Sequence, residues 1–109
     1  MTKTTVEEVA NRLKNGGTRL TIVDSRSAEA WDEAEVKAGG ALRVPPDEPE
    51  KQIGNVRKDD YIVTYCTCPN EESSSRVAQV LKDHGIPDVH PLAGGFDAWQ
   101  KANLPVEPK

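Results

Sequence analysis

The chain has 109 residues, which is enough for one compact domain and too few for two, so we treat residues 1–109 as a single domain. Its formal net charge of −4 argues against a nucleic-acid or membrane-surface protein, because such proteins usually present a basic face. No apolar stretch approaches the roughly 20 residues that cross a bilayer, and no signal-peptide core follows the N-terminus. We therefore expect a cytoplasmic protein, or a soluble domain of a longer protein, with reduced cysteines.

The first half of the chain predicts helices and strands in alternation. Thr5 and Glu8 form a capping box at the start of a helix, and Gly16-Gly17 ends it. The β-rich run 20–23 is a strand that ends at the polar triplet 24–26. The later elements are a short helix over residues 28–34, a turn at 39–40, a strand over 41–44 and a loop or weak helix over 45–54.

The second half contains the clearest strand, over residues 61–65. A helix is predicted over 73–84, a short strand over 88–90, and a final helix that starts at Gly94-Gly95 and ends near 103–105. Strands that alternate with helices indicate an α/β fold with a mostly parallel central sheet and helices on both faces. In such sheets the functional site lies at the carboxyl ends of the strands.

Cys66 stands at the carboxyl end of the clearest strand, directly before a polar loop and a helix start. The unpaired N–H groups and dipole of a helix N-terminus favour a thiolate, which is the nucleophilic form of cysteine. Backbone N–H groups of the loop and the hydroxyl groups of its serines would complete an anion cradle. The candidate site therefore consists of Cys66 as catalytic nucleophile and a substrate-binding loop of Thr67, Cys68, Pro69, Asn70, Glu71, Glu72, Ser73 and Ser74.

Simpler interpretations accompany these assignments. Cys66 would be an inert buried thiol, since free cysteine is among the most buried residue types. Cys68 is either an ordinary loop residue or a partner that resolves an oxidised Cys66 as a local disulfide. Asp24 is expected to order the turn after its strand by hydrogen bonds to backbone. We expect solvated charges, of which one or two rim the pocket, at Arg26, Lys37 and Arg43.

Several segments resemble the rhodanese family over nearly the whole chain. The run 22–26 is similar to the family's strand followed by Asp-x-Arg, and 40–45 resembles the end of its first signature. Tyr65-Cys66, the loop and the helix after Ser74 resemble its active-site loop. The most specific match is the C-terminal signature, which is Leu-Ala-Gly-Gly-Phe-Asp-Ala-Trp at residues 92–99.

The resemblance implies the small rhodanese α/β fold and a sulfurtransferase similar to thiosulfate sulfurtransferases. Cys66 would take a sulfane sulfur from a small donor, hold it as a persulfide and pass it to a thiol or cyanide acceptor. No metal or organic cofactor is implied. A protein partner is possible, no nucleic acid or membrane is expected to bind, and we expect a monomer.

The loop departs from the family pattern in length and charge. Seven residues separate Cys66 from Ser74, and the loop carries Glu71 and Glu72 without a base, which opposes the thiosulfate dianion. Lys37-Ala38-Gly39 stands where the first signature usually has His-x-Pro. These departures leave two alternatives, a non-catalytic rhodanese-fold regulatory or protein-binding module and a redox protein that uses Cys66 with Cys68. The phosphatase branch of the fold needs Cys-x5-Arg, whereas the first arginine after Cys66 is Arg76.

Overall fold

A parallel four-stranded sheet forms the centre of the structure, a computed structural model that describes residues 2–16, 19–67 and 72–109. Its strands lie in the order β3-β1-β4-β5, and a separate antiparallel pair joins β2 to β6. The strands are β1 (Leu20–Asp24), β2 (Val36–Ala38), β3 (Leu42–Arg43), β4 (Tyr61–Tyr65), β5 (Val89–Pro91) and β6 (Val106–Pro108).

Helices cover both faces of this sheet, as the sequence predicts. They are α1 (Val6–Lys14), α2 (Ala28–Glu33), α3 (Glu72–Asp83) and α4 (Gly95–Lys101), with a 3-10 helix over Pro49–Asn55. Side chains alternate between the faces along β4, so Val63 packs with residues of α1 and α4 while Ile62 packs with residues of α3. No helix in the described ranges is long and apolar enough to cross a membrane.

The N-terminal helix begins at the predicted cap. The Thr5 hydroxyl accepts a hydrogen bond from the Glu8 backbone N–H at 3.2 Å. The Glu8 carboxylate accepts a hydrogen bond from Arg12 Nε at 2.9 Å, and the Arg12 guanidinium lies 3.5 Å from the centre of the Tyr61 ring. This cation–π contact joins α1 to the start of β4. The helix ends at Lys14, before the predicted Gly16-Gly17 stop, of which Gly17 lies outside the described residues.

The pair formed by β2 and β6 is absent from the sequence prediction. Its two strands have three residues each and lie about 70 residues apart in the sequence, so no local sequence pattern predicts that they pair. The strand expected over 41–44 is shorter, with two residues, and α3 begins one residue early at Glu72. The segment 45–54, for which the sequence predicts a loop or a weak helix, contains most of the 3-10 helix over Pro49–Asn55.

The topology places a crevice at the carboxyl ends of β1 and β4. The chain leaves β1 towards β3 on one side and leaves β4 towards β5 on the other, so these neighbours form the switch point of the sheet. Their register sets Asp24 beside Tyr65, each the last residue of its strand. Cys66, the residue after Tyr65, therefore lies at the position where α/β sheets bind ligands.

Replacing Ile62 with alanine tests the packing between β4 and α3. Ile62 is fully buried, and we expect Ile62→Ala to lower the free energy of unfolding by about 2–5 kcal/mol through lost burial and a residual cavity. Ile53→Ala is the matched control, because Ile53 is only partly buried against the same cluster and should lose clearly less. Urea unfolding followed by tryptophan fluorescence measures both values, and equal losses would contradict this description of the core.

Candidate active site

The backbone of Cys66 is held by the start of α4. Cys66 is 1% exposed, and its carbonyl oxygen accepts a hydrogen bond from the Phe96 N–H at 2.9 Å. Gly95 packs directly against this peptide, because a Cβ at Gly95 would overlap the Cys66 carbonyl oxygen. Gly94 and Gly95 both have positive φ, at 81° and 59°. The start of α4 therefore fixes the position of the Cys66 backbone.

Both ends of the loop after β4 are tied to the sheet. The Tyr65 carbonyl oxygen accepts hydrogen bonds from the Ser25 N–H at 2.9 Å and from Ser25 Oγ at 2.7 Å. At the other end, the Thr64 hydroxyl donates to the Ser74 carbonyl oxygen at 2.9 Å, and Ser74 is fully buried. These contacts tie the residues on either side of the loop to the end of β4 and fix the peptide that precedes Cys66.

A buried ion pair lies beneath the crevice. Asp24 is 0% and Arg26 is 1% exposed, and Arg26 Nη2 lies 2.6 Å from Asp24 Oδ2. Asp24 also accepts a hydrogen bond from the Arg26 backbone N–H at 3.0 Å, so its predicted role in ordering the turn is confirmed. The prediction that Arg26 is solvated is wrong. Its guanidinium donates to the Val36 carbonyl at 3.0 Å and lies 4.7 Å from the centre of the Phe96 ring, contacts that depend on tertiary structure.

Arg43 adds a second guanidinium to the same carboxylate. Its Nη1 lies 3.5 Å from Asp24 Oδ1 and donates to the Arg26 carbonyl at 2.5 Å, with 20% of the side chain exposed. Burial lowers the pKa of Arg43, and Asp24 opposes this effect. Lys37 also departs from the solvated prediction, because it is half-buried and its Nζ donates to the Ala41 carbonyl at 2.8 Å. One carboxylate facing two guanidinium groups leaves an excess positive charge near the crevice.

Tyr65 connects this charge cluster to β2. Its hydroxyl donates to Asp24 Oδ2 at 2.6 Å and accepts from the Ala38 N–H at 3.1 Å. Burial, followed by the Asp24 charge, raises the pKa of Tyr65, because both disfavour the phenolate. The ring stacks on Phe96, with the ring centres 5.1 Å apart. The residue before Cys66 is thus fixed by hydrogen bonds at one end and aromatic packing along its length.

Two cavities flank the start and the end of the loop. The first, which we call the Thr67 cavity, has a volume of about 390 Å³. It is lined by Arg26, Ala30, Glu33, Ala34, Glu35, Val36, Thr67, Phe96 and Gln100. The second, of about 160 Å³, is lined by Ser27, Pro46, Asp47, Glu72, Ser73 and Arg76.

The structure distributes the predicted site residues between these cavities. Thr67 belongs to the first cavity, Glu72 and Ser73 belong to the second, and Ser74 is buried at the base of the loop. Four predicted substrate-binding residues lie outside the described residues, namely Cys68, Pro69, Asn70 and Glu71.

Cys66 is disulfide-bonded in the structure. The sequence contains one other cysteine, Cys68, which lies outside the described residues. The expectation of reduced thiols is therefore not met in this state of the protein. A disulfide sulfur is no nucleophile, so any chemistry that starts from a Cys66 thiolate begins with reduction of this bond.

Sequence reasoning missed the cavity residues Glu33, Glu35 and Gln100 and underestimated Arg26. The spacing of Asp24 and Arg26 directly after a strand was the available signal for a buried pair, since side chains two positions apart can share a carboxylate at a turn. No local signal marks Glu33 and Glu35, which read as ordinary solvated charges at the end of a short helix.

The fold and site define a class of α/β domain that presents a strand-end cysteine at the switch point of a parallel sheet. The chain belongs to the rhodanese-like domain family, whose sequence pattern matches residues 5–102. The thiosulfate sulfurtransferase GlpE of Shewanella oneidensis is 33% identical over 84 residues, which cover 77% of this chain and 79% of that protein.

Solved structures agree with this assignment. The BH2092 protein from Bacillus halodurans superposes with a TM-score of 0.82 at 28% identity, covering 98% of this chain and 77% of that one. The rhodanese-like domain of the Alr3790 protein from Anabaena has a TM-score of 0.80 at 23% identity over 100% of this chain and 80% of that one, which supports the fold. The α/β fold and the family resemblance inferred from the sequence are both confirmed.

Replacing Gly95 with alanine tests the contact between α4 and Cys66. Gly95→Ala adds a Cβ that overlaps the Cys66 carbonyl oxygen. We expect it to lower the free energy of unfolding by at least about 2 kcal/mol more than a control variant does. The control is Gly85→Ala, which shares a positive φ of 89° but places its Cβ where nothing lies within 4 Å. That control should lose about 1 kcal/mol. Urea unfolding of both variants decides the matter, and similar losses would show that Cys66 can shift freely.

Replacing Tyr65 with phenylalanine tests the buried hydroxyl. Tyr65→Phe leaves Asp24 Oδ2 and the Ala38 N–H each without one partner, and we expect a loss of about 1–3 kcal/mol at neutral pH. Because the folded state raises the pKa of Tyr65, its hydroxyl stabilises the fold below the ordinary tyrosine pKa of about 10 and loses that effect at higher pH.

The stability difference between wild type and Tyr65→Phe should therefore narrow above about pH 10. Urea unfolding at neutral and alkaline pH measures this difference. Tyr61→Phe is the control for loss of a tyrosine hydroxyl, since Tyr61 donates to Thr4 Oγ1 at 2.8 Å. If the free energies of unfolding of wild type and Tyr65→Phe fell by the same amount between neutral and alkaline pH, this role for the hydroxyl would be contradicted.

Proposed function

We propose that the chain is a sulfurtransferase that moves sulfane sulfur from a donor to a thiophilic acceptor through a persulfide on Cys66. The observation that carries the proposal is the position of Cys66 at the switch point, with its carbonyl held by Phe96 and its backbone packed against Gly95. The family membership and the GlpE relatives support the same reaction class.

The first half-reaction loads the cysteine. After reduction, the Cys66 thiolate attacks the sulfane sulfur of the donor, and the donor's bond to that sulfur breaks. The bonding electron pair leaves with the donor fragment, and Cys66 becomes a persulfide. Because this step needs a thiolate, the proposal places the protein in a reducing compartment such as the cytoplasm.

The second half-reaction discharges the persulfide. A thiolate or cyanide attacks the outer sulfur, the S–S bond to Cys66 breaks, and the electron pair returns to Cys66 as thiolate. The acceptor leaves as a persulfide or as thiocyanate. No external oxidant or reductant is consumed once Cys66 is reduced.

The surrounding charge supports an anionic intermediate while disfavouring a dianionic donor. The cluster of Asp24, Arg26 and Arg43 carries an excess positive charge and lies at the carboxyl ends of β1 and β3. Since β1 pairs with β4, this charge favours a thiolate or persulfide anion on Cys66. Glu72, at the end of the loop, faces the second cavity together with Asp47. We therefore propose that thiosulfate, which is a dianion, is a poor donor for this protein.

Mass spectrometry of the intact protein tests this function. The reduced protein is incubated with thiosulfate or with a polysulfide, in wild type and in Cys66→Ala. We expect wild type to gain the mass of one sulfur atom from polysulfide and less or none from thiosulfate, and Cys66→Ala to gain none. The matched variant Cys68→Ser should still gain sulfur if Cys66 alone carries it.

A failure of wild type to gain sulfur from either donor would favour the alternative, a non-catalytic rhodanese-fold regulatory or protein-binding module. Loss of sulfur uptake in Cys68→Ser, with Cys66 still reactive to alkylation, would favour the redox pair instead.

A further inference from the structure

We propose that the Thr67 cavity is the acceptor subsite and that it selects small thiols that carry a positive charge, namely aminothiols. This inference rests on the proposed function, because it concerns the compound that discharges a Cys66 persulfide.

The cavity lies next to the backbone of Cys66. Thr67, which is exposed, lines the cavity and is the residue bonded to Cys66. Phe96 lines it as well, and its N–H is the group that holds the Cys66 carbonyl at 2.9 Å. A compound in this cavity is therefore adjacent to the Cys66 peptide on the side formed by α2 and α4. The volume of about 390 Å³ suits a small organic molecule.

The walls combine an apolar surface with a polar rim. Small and aromatic side chains supply the apolar part, which accommodates the methylene groups of an acceptor. They are Ala30, Ala34, Val36 and Phe96. The amide of Gln100 and the hydroxyl of Thr67, both on exposed residues, supply neutral hydrogen-bonding groups. A short aliphatic chain with one polar end matches this arrangement.

The charge of the lining is negative. Glu33 and Glu35 are exposed, and neither forms an ion pair with another residue in the part of the chain that the structure describes. Arg26 is the cation of the lining, but Asp24 neutralises it at 2.6 Å in a fully buried pair. Two carboxylates therefore remain to attract a cation and repel an anion.

Two further cations, Arg43 and Lys109, lie against the Trp31 ring, and neither lines the cavity. The Arg43 guanidinium lies 4.8 Å and the Lys109 ammonium 4.7 Å from the centre of that ring. Both reduce the field of the carboxylates somewhat. A charge about 6 Å from each carboxylate in a water-like medium still changes the rate of discharge by about threefold per carboxylate, and by about tenfold for both.

Discharge of a preloaded persulfide into three thiols tests the subsite. The acceptors are cysteamine, which is cationic, 2-mercaptoethanol, which is neutral, and mercaptoacetate, which is anionic. Each rate is compared between wild type and the double variant Glu33→Gln with Glu35→Gln, so that the intrinsic reactivity of each thiol cancels. The control is the double variant Glu29→Gln with Glu50→Gln, which removes two exposed carboxylates outside the cavity.

In the Glu33→Gln, Glu35→Gln variant we expect discharge of the persulfide into cysteamine to be about threefold to tenfold slower than in wild type. Discharge into mercaptoacetate should be faster, and discharge into 2-mercaptoethanol should be unchanged. Raising the ionic strength should shrink these differences in wild type. Equal effects of the cavity and control variants, or no change with any thiol, would overturn the subsite while leaving sulfur transfer intact. A wild type that forms no persulfide would instead overturn the proposed function, and the subsite with it.

Discussion

The buried pair of Asp24 and Arg26 is the interaction on which the architecture of the site depends. One carboxylate at the end of β1 accepts hydrogen bonds from Arg26 and from the Tyr65 hydroxyl, and Arg26 reaches the Val36 carbonyl of β2. Two charges removed from water stabilise a fold little in net terms, but losing one partner would leave the other buried and uncompensated. The pair therefore fixes the mutual position of β1, β2 and β4 just below the crevice.

Cys66 is placed by backbone contacts that follow from this framework. Tyr65, held by Asp24, sets the last residue of β4, while Phe96 and Gly95 hold the next carbonyl from the other side. In this chain, two residues of the C-terminal signature, Gly95 and Phe96, thus position the cysteine. Sulfur transfer requires such a cysteine to be fixed in place while its sulfur is loaded and discharged, which is why the geometry and the proposed chemistry agree.

Local patterns predicted the elements that carry their own periodicity. Val77 and Leu81 mark the buried face of α3, and the apolar run of β4 identifies the central strand. The burial of Arg26 was not predicted, because it depends on Val36 of β2 and Phe96 of α4, which are distant in the sequence. The same limit applies to Glu33 and Glu35, whose cavity exists only once α2 and α4 meet at the end of the sheet. The role of Cys68 stays a prediction.

The central claim is that reduced Cys66 is a nucleophilic thiolate, and its alkylation rate as a function of pH tests this most directly. The measurement uses reduced Cys68→Ser, so that iodoacetamide reports on one thiol, and compares pH 6 with pH 8.5. An ordinary thiol gains about a hundredfold in rate over this interval, because its thiolate fraction rises as much. We predict less than about a tenfold gain, since the thiolate would already be formed at pH 6. A rise of about a hundredfold would contradict the account and identify Cys66 as a cysteine of ordinary reactivity.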